Sequence, residues 1–155
     1  MARPRDQRIK DTLELLRTEV DVWIATASTT GKPYLVPLSF YWSGEAMIVT
    51  TPRSSRTGRN FAETGRARAA LGQTRGEVVV IDARVEEMLV GESVELEDAY
   101  VRATDFDPRP WDVGYTFFRL IPERIQAWRG DDAEELRDKD LMRCLLYTSP
   151  SPRDS

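Results

Sequence analysis

The sequence predicts a mainly β protein, an antiparallel barrel of six or seven strands with peripheral helices. Short apolar runs rich in branched and aromatic residues are separated by tight turn sequences at residues 30–33 and 43–45, which is typical of antiparallel hairpins. Residues 77–90 form a strand so long that it needs a bend or a bulge to join a closed sheet. Closure is the usual way in which a small all-β sheet removes its exposed edges.

The apolar pattern assigns three helices and the strands between them. The first helix has Asp6 as its N-cap, and the second has Ser54 or Ser55 as its cap and Gly65 as its stop. The helices are predicted over residues 6–19, 53–65 and 92–103. The strands are predicted over residues 22–29, 33–42, 46–51, 66–73, 77–90, 114–121 and 123–128, with a kink between the last two at Pro122.

The length of 155 residues fits one domain with one core. Residues 144–155 change composition abruptly and contain two Ser-Pro pairs. They resemble the translated adapter ends of fragmentary reading frames, and we interpret them as a non-native or disordered tail. The cofactor-binding domain is therefore expected to span residues 1–143, and Cys144 is left out of the functional reasoning.

The composition excludes several classes of chemistry. The chain has no histidine and a single cysteine, which rules out Ser-His-Asp triads, Cys-His pairs and histidine-containing zinc sites. We therefore predict no catalytic side chain and no metal site, and an enzyme of this composition needs a cofactor for its chemistry. The longest aliphatic run, residues 78–81, is too short to cross a membrane, and we expect a cytoplasmic protein.

Charge is segregated along the chain. Residues 53–75 carry six arginines and one acid, whereas residues 86–112 carry nine acids and two arginines. Guanidinium groups and hydroxyls at the start of a short helix favour a phosphate, because free backbone N–H groups and the helix dipole point towards it. A solvated basic helix that offsets the acidic segment is the alternative interpretation.

Hydroxyl-bearing strands are expected beside this helix. The strand over residues 46–51 should pair with the strand that carries Ser39 and Tyr41, and a flat heteroaromatic ring would fit on that surface. The alternative is that these hydroxyls reflect only the β propensity of a solvent-facing side. The ring edge would use Ser39, Thr50 or Gln73, and the phosphate would use Ser55, Arg56, Arg59 and Asn60.

A series of short motifs resembles the pyridoxamine 5'-phosphate oxidase-like superfamily. The motifs are VWIATAS (22–28), GKP (31–33), VPLSFYWSG (36–44), IVTTP (48–52), SRTGRN (55–60), ARAAL (67–71) and RLIPERIQAW (119–128). The resemblance covers nearly all of residues 6–143. It implies the FMN-binding split β-barrel and a homodimer, with FMN or the 8-hydroxy-5-deazaflavin coenzyme in a cleft shared by two subunits.

The resemblance also implies roles for individual residues. It implies a cofactor role for Trp128, but we expect instead a buried aromatic that closes the barrel at the dimer contact, and we expect Trp23 and Trp42 in the core. The implied cofactor-binding residues are Ser39 and Tyr41 beside the ring, Thr50 and Thr51 at the ring or ribityl region, Ser55, Arg56, Arg59 and Asn60 at the phosphate, and Gln73 and Arg75.

Two departures from the family pattern narrow the predicted function. Pyridoxamine phosphate oxidases proper have a basic pair after the serine and a C-terminal histidine, whereas here Arg56 is followed by Thr57 and histidine is absent. Vitamin B6 oxidation is therefore not expected, and the motifs at residues 39–42 and 55–60 resemble the deazaflavin-dependent reductase branch. We predict an oxidoreductase that transfers a hydride to or from a small unsaturated or quinone-like substrate.

Two other functions are weighed against this one. The same barrel could serve as a non-catalytic binding protein for a flavin, a deazaflavin or haem, because a shared fold does not guarantee turnover. Nucleic-acid binding through the arginines is disfavoured by the net charge of -4 and by their confinement to one helix and strand. We therefore expect a small-molecule substrate, with neither a nucleic acid nor a membrane as partner.

Overall fold

The computed structural model describes residues 2–111 and 113–143 and contains four helices and eight strands within them. The interpretation of residues 144–155 as a tail lies outside the described residues. The helices are α1 (Arg5–Thr18), α2 (Arg56–Thr64), α3 (Val94–Thr104) and α4 (Ala133–Arg137). The strands are β1 (Asp21–Ala27), β2 (Pro33–Ser39), β3 (Tyr41–Trp42), β4 (Met47–Pro52), β5 (Arg66–Gly72), β6 (Glu77–Met88), β7 (Tyr115–Arg129) and β8 (Asp140–Arg143).

The strands form one curled antiparallel sheet. Its order is β2-β1-β5-β6-β7-β4-β3, and β8 pairs with β7. Strands β2 and β3 stand at opposite ends of this order, yet only the buried Phe40 separates them along the chain. The sheet must therefore curl until its two ends meet at Phe40, which confirms the predicted mainly β fold class, a split barrel.

One row of register partners across five strands forms the centre of the barrel. Four of its five members, all except Val36, are at most 1% exposed, and branched side chains dominate the row, as expected for a pleated surface that faces a core. The row runs through Val36, Ile24, Ala69, Ile81 and Ile125.

The neighbouring row lies on the outside of the barrel, because successive side chains point to opposite faces. Its partners are Pro37, Trp23, Ala70, Val80 and Gln126; we call this set the outer row. Trp23 is 52% exposed, so the expectation that it lies in the core is wrong. Trp42 is partly buried against the core, as expected.

Several element boundaries differ from the sequence-based expectation. Helix α1 begins at Arg5 with Pro4 at the N-cap, so Asp6 lies in the first turn. The last two predicted strands are one strand of 15 residues, because β7 bulges at Glu123 between Arg124, which pairs with Asp82, and Pro122, which pairs with Ala83. Such a bulge accommodates the missing N–H of proline.

Two helices cover different surfaces of the barrel. Phe61 of α2 packs on Phe118 inside the barrel, with 4.8 Å between the ring centroids. Tyr100 of α3 packs edge-on against Phe117, at 5.6 Å, in a second core cluster on the outer face of β4 and β7. Helix α2 thus closes the barrel, and α3 covers part of its outside.

A buried carboxylate fastens the segment before α1 to α4. Glu135 is fully buried and accepts hydrogen bonds from Arg3 Nε at 2.9 Å, from Arg3 Nη2 at 2.6 Å and from two backbone N–H groups, those of Arg3 and Arg129. These bonds and the charge of Arg3 lower the pKa of the Glu135 carboxyl to about 2. The carboxylate is therefore ionised throughout the neutral range.

Candidate cofactor site

Helix α2 begins at a serine cap directly after β4. The Ser55 hydroxyl accepts from the Gly58 N–H at 3.0 Å and donates to the Pro52 carbonyl at 2.8 Å, and its oxygen lies 2.9 Å from the Thr51 hydroxyl. Gly65 ends the helix in the left-handed conformation, at φ 66°, which glycine adopts without strain. The predicted cap and stop are thus confirmed, with Ser55 rather than Ser54 as the cap.

Gly58 holds this helix close to the strand that precedes it. A Cβ at this position would lie 2.4 Å from the Pro52 carbonyl oxygen and 2.8 Å from that of Arg53. The absent side chain therefore makes room for the chain's own backbone. Only glycine fits here, and its fit fixes where the first turn of α2 lies relative to β4.

Two exposed guanidinium groups stand on the first turns of α2. Arg56 and Arg59 are three residues apart, so they share a face of the helix. The first turn carries no acidic residue, and neither arginine forms a side-chain hydrogen bond or an ion pair with another described residue. The adjacent Arg53, by contrast, is bonded to Glu87.

This arrangement is unfavourable without a ligand. Like charges three or four residues apart destabilise a helix by about 0.2–0.5 kcal/mol, and a cation near a helix N-terminus opposes the dipole by a similar amount. A phosphate between Arg56 and Arg59 would remove both costs. The residues present at the start of α2 therefore fit the anionic arm of a flavin-type cofactor.

Three of the predicted site residues, Asn60, Thr50 and Thr51, are buried. Asn60 is 1% exposed and donates from Nδ2 to the Thr26 hydroxyl at 2.9 Å, which ties α2 to β1. The Thr50 hydroxyl donates to the Thr116 carbonyl at 2.7 Å, and Thr51 is buried beside Ser55. The sequence predicted no role for Thr26 or Thr116, because no pattern of neighbouring residues indicates that a threonine bonds to a distant helix or strand.

The residues predicted to flank the ring lie on two different strands. Tyr41 pairs with Ile48, so it shares the outer face of the sheet with Thr50. Ser39 belongs instead to β2, where it pairs with Asp21 of β1. The expectation that Ser39 stands on the strand next to β4 is therefore wrong, because the chain turns at Phe40.

Tyr41 also borders a broad cleft between α1 and the β3–β4 hairpin. The cleft has a volume of about 740 Å³, and Leu13 and Trp42 form part of its apolar wall. None of the predicted phosphate-binding residues lines this cleft. Within one chain, the candidate ring surface and the candidate phosphate surface are therefore separate.

Gln73 and Arg75 lie in the turn between β5 and β6 and are exposed. The turn is closed by a hydrogen bond from the Gly76 N–H to the Gln73 carbonyl at 2.8 Å. Arg53, three residues before Arg56, bonds to Glu87 near the end of β6 that is distant from this turn, roughly 30 Å along the strand from Glu77. The structure therefore does not bring Gln73 and Arg75 to Arg56 within one chain.

Three further observations concern the surroundings of Trp128, metal binding and membrane-spanning helices. Trp128 is half-buried, and Lys139 Nζ lies 5.0 Å from the centre of its ring. Within residues 2–111 and 113–143, no group of three acidic or cysteine side chains is arranged to hold a metal ion. None of the described helices is both long enough and apolar enough to span a membrane.

Comparison with protein families gives a match over most of the described chain. The family model described as pyridoxamine 5'-phosphate oxidase matches residues 9–129. Comparison with curated proteins gives no match.

Solved structures with the same fold have low sequence identity to this chain. A FAD-binding protein from Mesorhizobium loti is 23% identical with a TM-score of 0.62, over 77% of this chain and 90% of that one. An F420 reductase is 17% identical with a TM-score of 0.58, over 72% and 93%. A haem-binding protein from Mycobacterium smegmatis is 18% identical with a TM-score of 0.66, and the match covers 86% of this chain but only 57% of that protein.

Proposed function

Since the chain belongs to the pyridoxamine 5'-phosphate oxidase family, we propose that it is an oxidoreductase that uses bound 8-hydroxy-5-deazaflavin coenzyme or FMN. Its reaction is hydride transfer to or from a small unsaturated or quinone-like substrate. The observation that supports this proposal most strongly is the pair of guanidinium groups of Arg56 and Arg59 on the first turns of α2, which bond to no other described side chain and have no acidic residue in their turn. The phosphate of a flavin-type cofactor is an anion that these two guanidinium groups would bind.

The protein's part in this function is binding and positioning. The bound cofactor supplies the hydride chemistry. Arg56 and Arg59 hold the anionic arm, and the hydrogen bonds of Ser55 and Asn60 fix the helix that carries them. Tyr41 offers a phenol on the outer face of the sheet, beside the position proposed for the ring.

We also propose that two copies of the chain form the complete site. Trp23 and Leu35 are 52% and 60% exposed, and they lie on the same outer face as the outer row. Exposed apolar patches of this kind mark protein interfaces. We propose that this pairing brings the Gln73–Arg75 turn of one subunit to the α2 arginines of its partner, which the length of β6 prevents within one chain.

Haem is a poorer candidate than a flavin. The sequence contains no histidine, and histidine is the axial ligand of many haem proteins. A non-catalytic flavin-binding protein remains the alternative in the class of binding modules. Such a protein would bind the cofactor with the same affinity as an oxidoreductase, but it would not turn over a substrate.

Titration with FMN and with the deazaflavin, followed by absorbance and fluorescence, tests the proposed site. Each charge-assisted contact is worth about 1.5–3 kcal/mol, so the R56A/R59A variant should bind at least about 100-fold more weakly. The unliganded variant should be slightly more stable, because two like charges leave a helix N-terminus. The R102A variant removes an exposed arginine from α3 and should bind normally.

The outcomes separate the proposals. Unchanged affinity in R56A/R59A refutes the phosphate assignment. Tight binding without reduction of any member of a panel of quinones and activated alkenes refutes the enzymatic function and supports the binding module.

A further inference from the structure

A second cleft lies on the outer face of the sheet, at the end of β4 that is distant from α2. Its volume is about 380 Å³, within the range of small-molecule sites. Arg119 and Ile121 of β7 line it together with Ala46 and Leu96; we call it the Arg119 cleft. Ala46 and Thr50 lie four residues apart on the outer face of the sheet, so about 13 Å separates this cleft from Thr50. Tyr41 is closer, because it lies two strands from Arg119 in one register row that runs through Ile48.

Arg119 is the unusual residue of this cleft. Its Nε atom is buried without a hydrogen-bond partner, and the side chain forms no ion pair with another described residue. A buried donor of a charged group that lacks an acceptor is costly, and native proteins seldom retain one without a reason. Among the described residues, Arg119 therefore lines a cavity with a guanidinium whose Nε lacks an acceptor.

The acidic residues around the cleft do not satisfy Arg119. Glu86 is its neighbour across the β6–β7 pair, but the Glu86 carboxylate lies 3.6 Å from the guanidinium of Arg84. Glu45 lies in the exposed β3–β4 hairpin at the rim. The charges of Arg84 and Glu86 offset each other, which leaves Arg119 as the cation available to a ligand.

Apart from Ser43, the remaining walls are apolar. Ala46 and Ile121 are 1% and 8% exposed, and Leu96 of α3 packs beside them. A ligand that fits this surface has a carboxylate for the fork of Arg119 and a small apolar body for the side chains around it. We infer that the Arg119 cleft binds a small organic carboxylate, independently of the proposed cofactor.

Amide NMR spectra of the full-length protein provide the test, with benzoate as the probe. Benzoate should cause saturable shifts at Ala46, Leu96 and Arg119, whereas the neutral isostere benzamide and inorganic phosphate should bind at least about tenfold more weakly. The R119Q variant should lose at least about tenfold in benzoate affinity. The R66Q variant, which removes an exposed arginine on β5, should behave as the wild type.

A further variant guards against a folding defect at position 119. The L96E variant keeps Arg119 and places a carboxylate at the cleft wall, so it should also lose benzoate binding. Absence of saturable shifts in the wild type overturns the inference. Equal binding of benzamide or phosphate, or unchanged affinity in both R119Q and L96E, overturns it as well. Loss of FMN affinity in R56A/R59A bears only on the cofactor proposal.

Discussion

The G58A substitution separates helix propensity from packing at the start of α2. In an ordinary helix, replacing glycine by alanine stabilises by about 1 kcal/mol. Here the new Cβ would lie 2.4 Å from the Pro52 carbonyl oxygen, and a normal carbon–oxygen contact is about 3.3 Å. The helix must retreat by about 0.9 Å from β4 to restore that contact.

The magnitude follows from these two opposing effects. Overpacking against backbone costs about 1–3 kcal/mol and occasionally more, and the atoms of residues 52 and 53 cannot rotate away as a flexible side chain could. We therefore expect a cost at the upper end of that range, about 3 kcal/mol, and after the gain of about 1 kcal/mol in helix propensity a net loss of about 2 kcal/mol, which lowers the urea midpoint by roughly 1 M. Because the shift also moves Arg56, cofactor affinity should fall in the same variant.

Equilibrium urea unfolding of G58A and of G76A measures this effect. Gly76 is the matched control, because the nearest atoms to its Cβ position lie 3.7 and 3.8 Å away, and the midpoint of G76A should stay close to that of the wild type. A midpoint of G58A at or above the wild-type value would show that helix propensity outweighs the contact with Pro52 and would refute the reasoning.

Two other substitutions test the buried Glu135 carboxylate, which binds Arg3, and the outer face of the sheet. Glu135→Gln should cost about 3–5 kcal/mol at pH 7, because it leaves the guanidinium groups of Arg3 and Arg8 beside a neutral amide. Since the folded pKa of Glu135 is lowered to about 2, the contribution of the carboxylate is present above the unfolded pKa of about 4.5 and is lost as the pH falls towards 2. Urea unfolding from pH 7 to pH 2 should therefore show the wild type converging on E135Q, and a constant difference would contradict this. W23K should convert the proposed dimer to a monomer in light scattering, whereas V94K, at a position that is 53% exposed on α3, should not; a dimer that persists in W23K excludes the outer row as the interface.

Local signals predicted the start of α2 well. A serine cap, a glycine stop and a run of arginines act over a few residues, so the sequence alone located the candidate anion site. The alternation of apolar and polar residues could not assign Trp23 to the core or to the surface, because both faces of β1 carry apolar residues in the sequence. A tryptophan in such a strand looks like core until the register is known.

Other features depend on distant parts of the chain. The bulge at Glu123 that accommodates Pro122 is defined only by pairing with Asp82 and Ala83 of β6, so the proline alone predicted a break in β7. The five residues of α4 are too few to show helical periodicity. The role of Asn60 as a tie to Thr26 and the orphaned Nε of Arg119 appear only once distant strands are in contact.

Phe40 alone links β2 and β3, and this short link limits which insertions and deletions the fold tolerates. Adding or removing one residue at position 40 would turn the side chains of β3 to the opposite face, moving Tyr41 inward and Trp42 outward. The same event would separate the two ends of the sheet. Natural insertions and deletions should therefore accumulate in the exposed stretches near residues 44 and 91 and avoid the junction at Phe40.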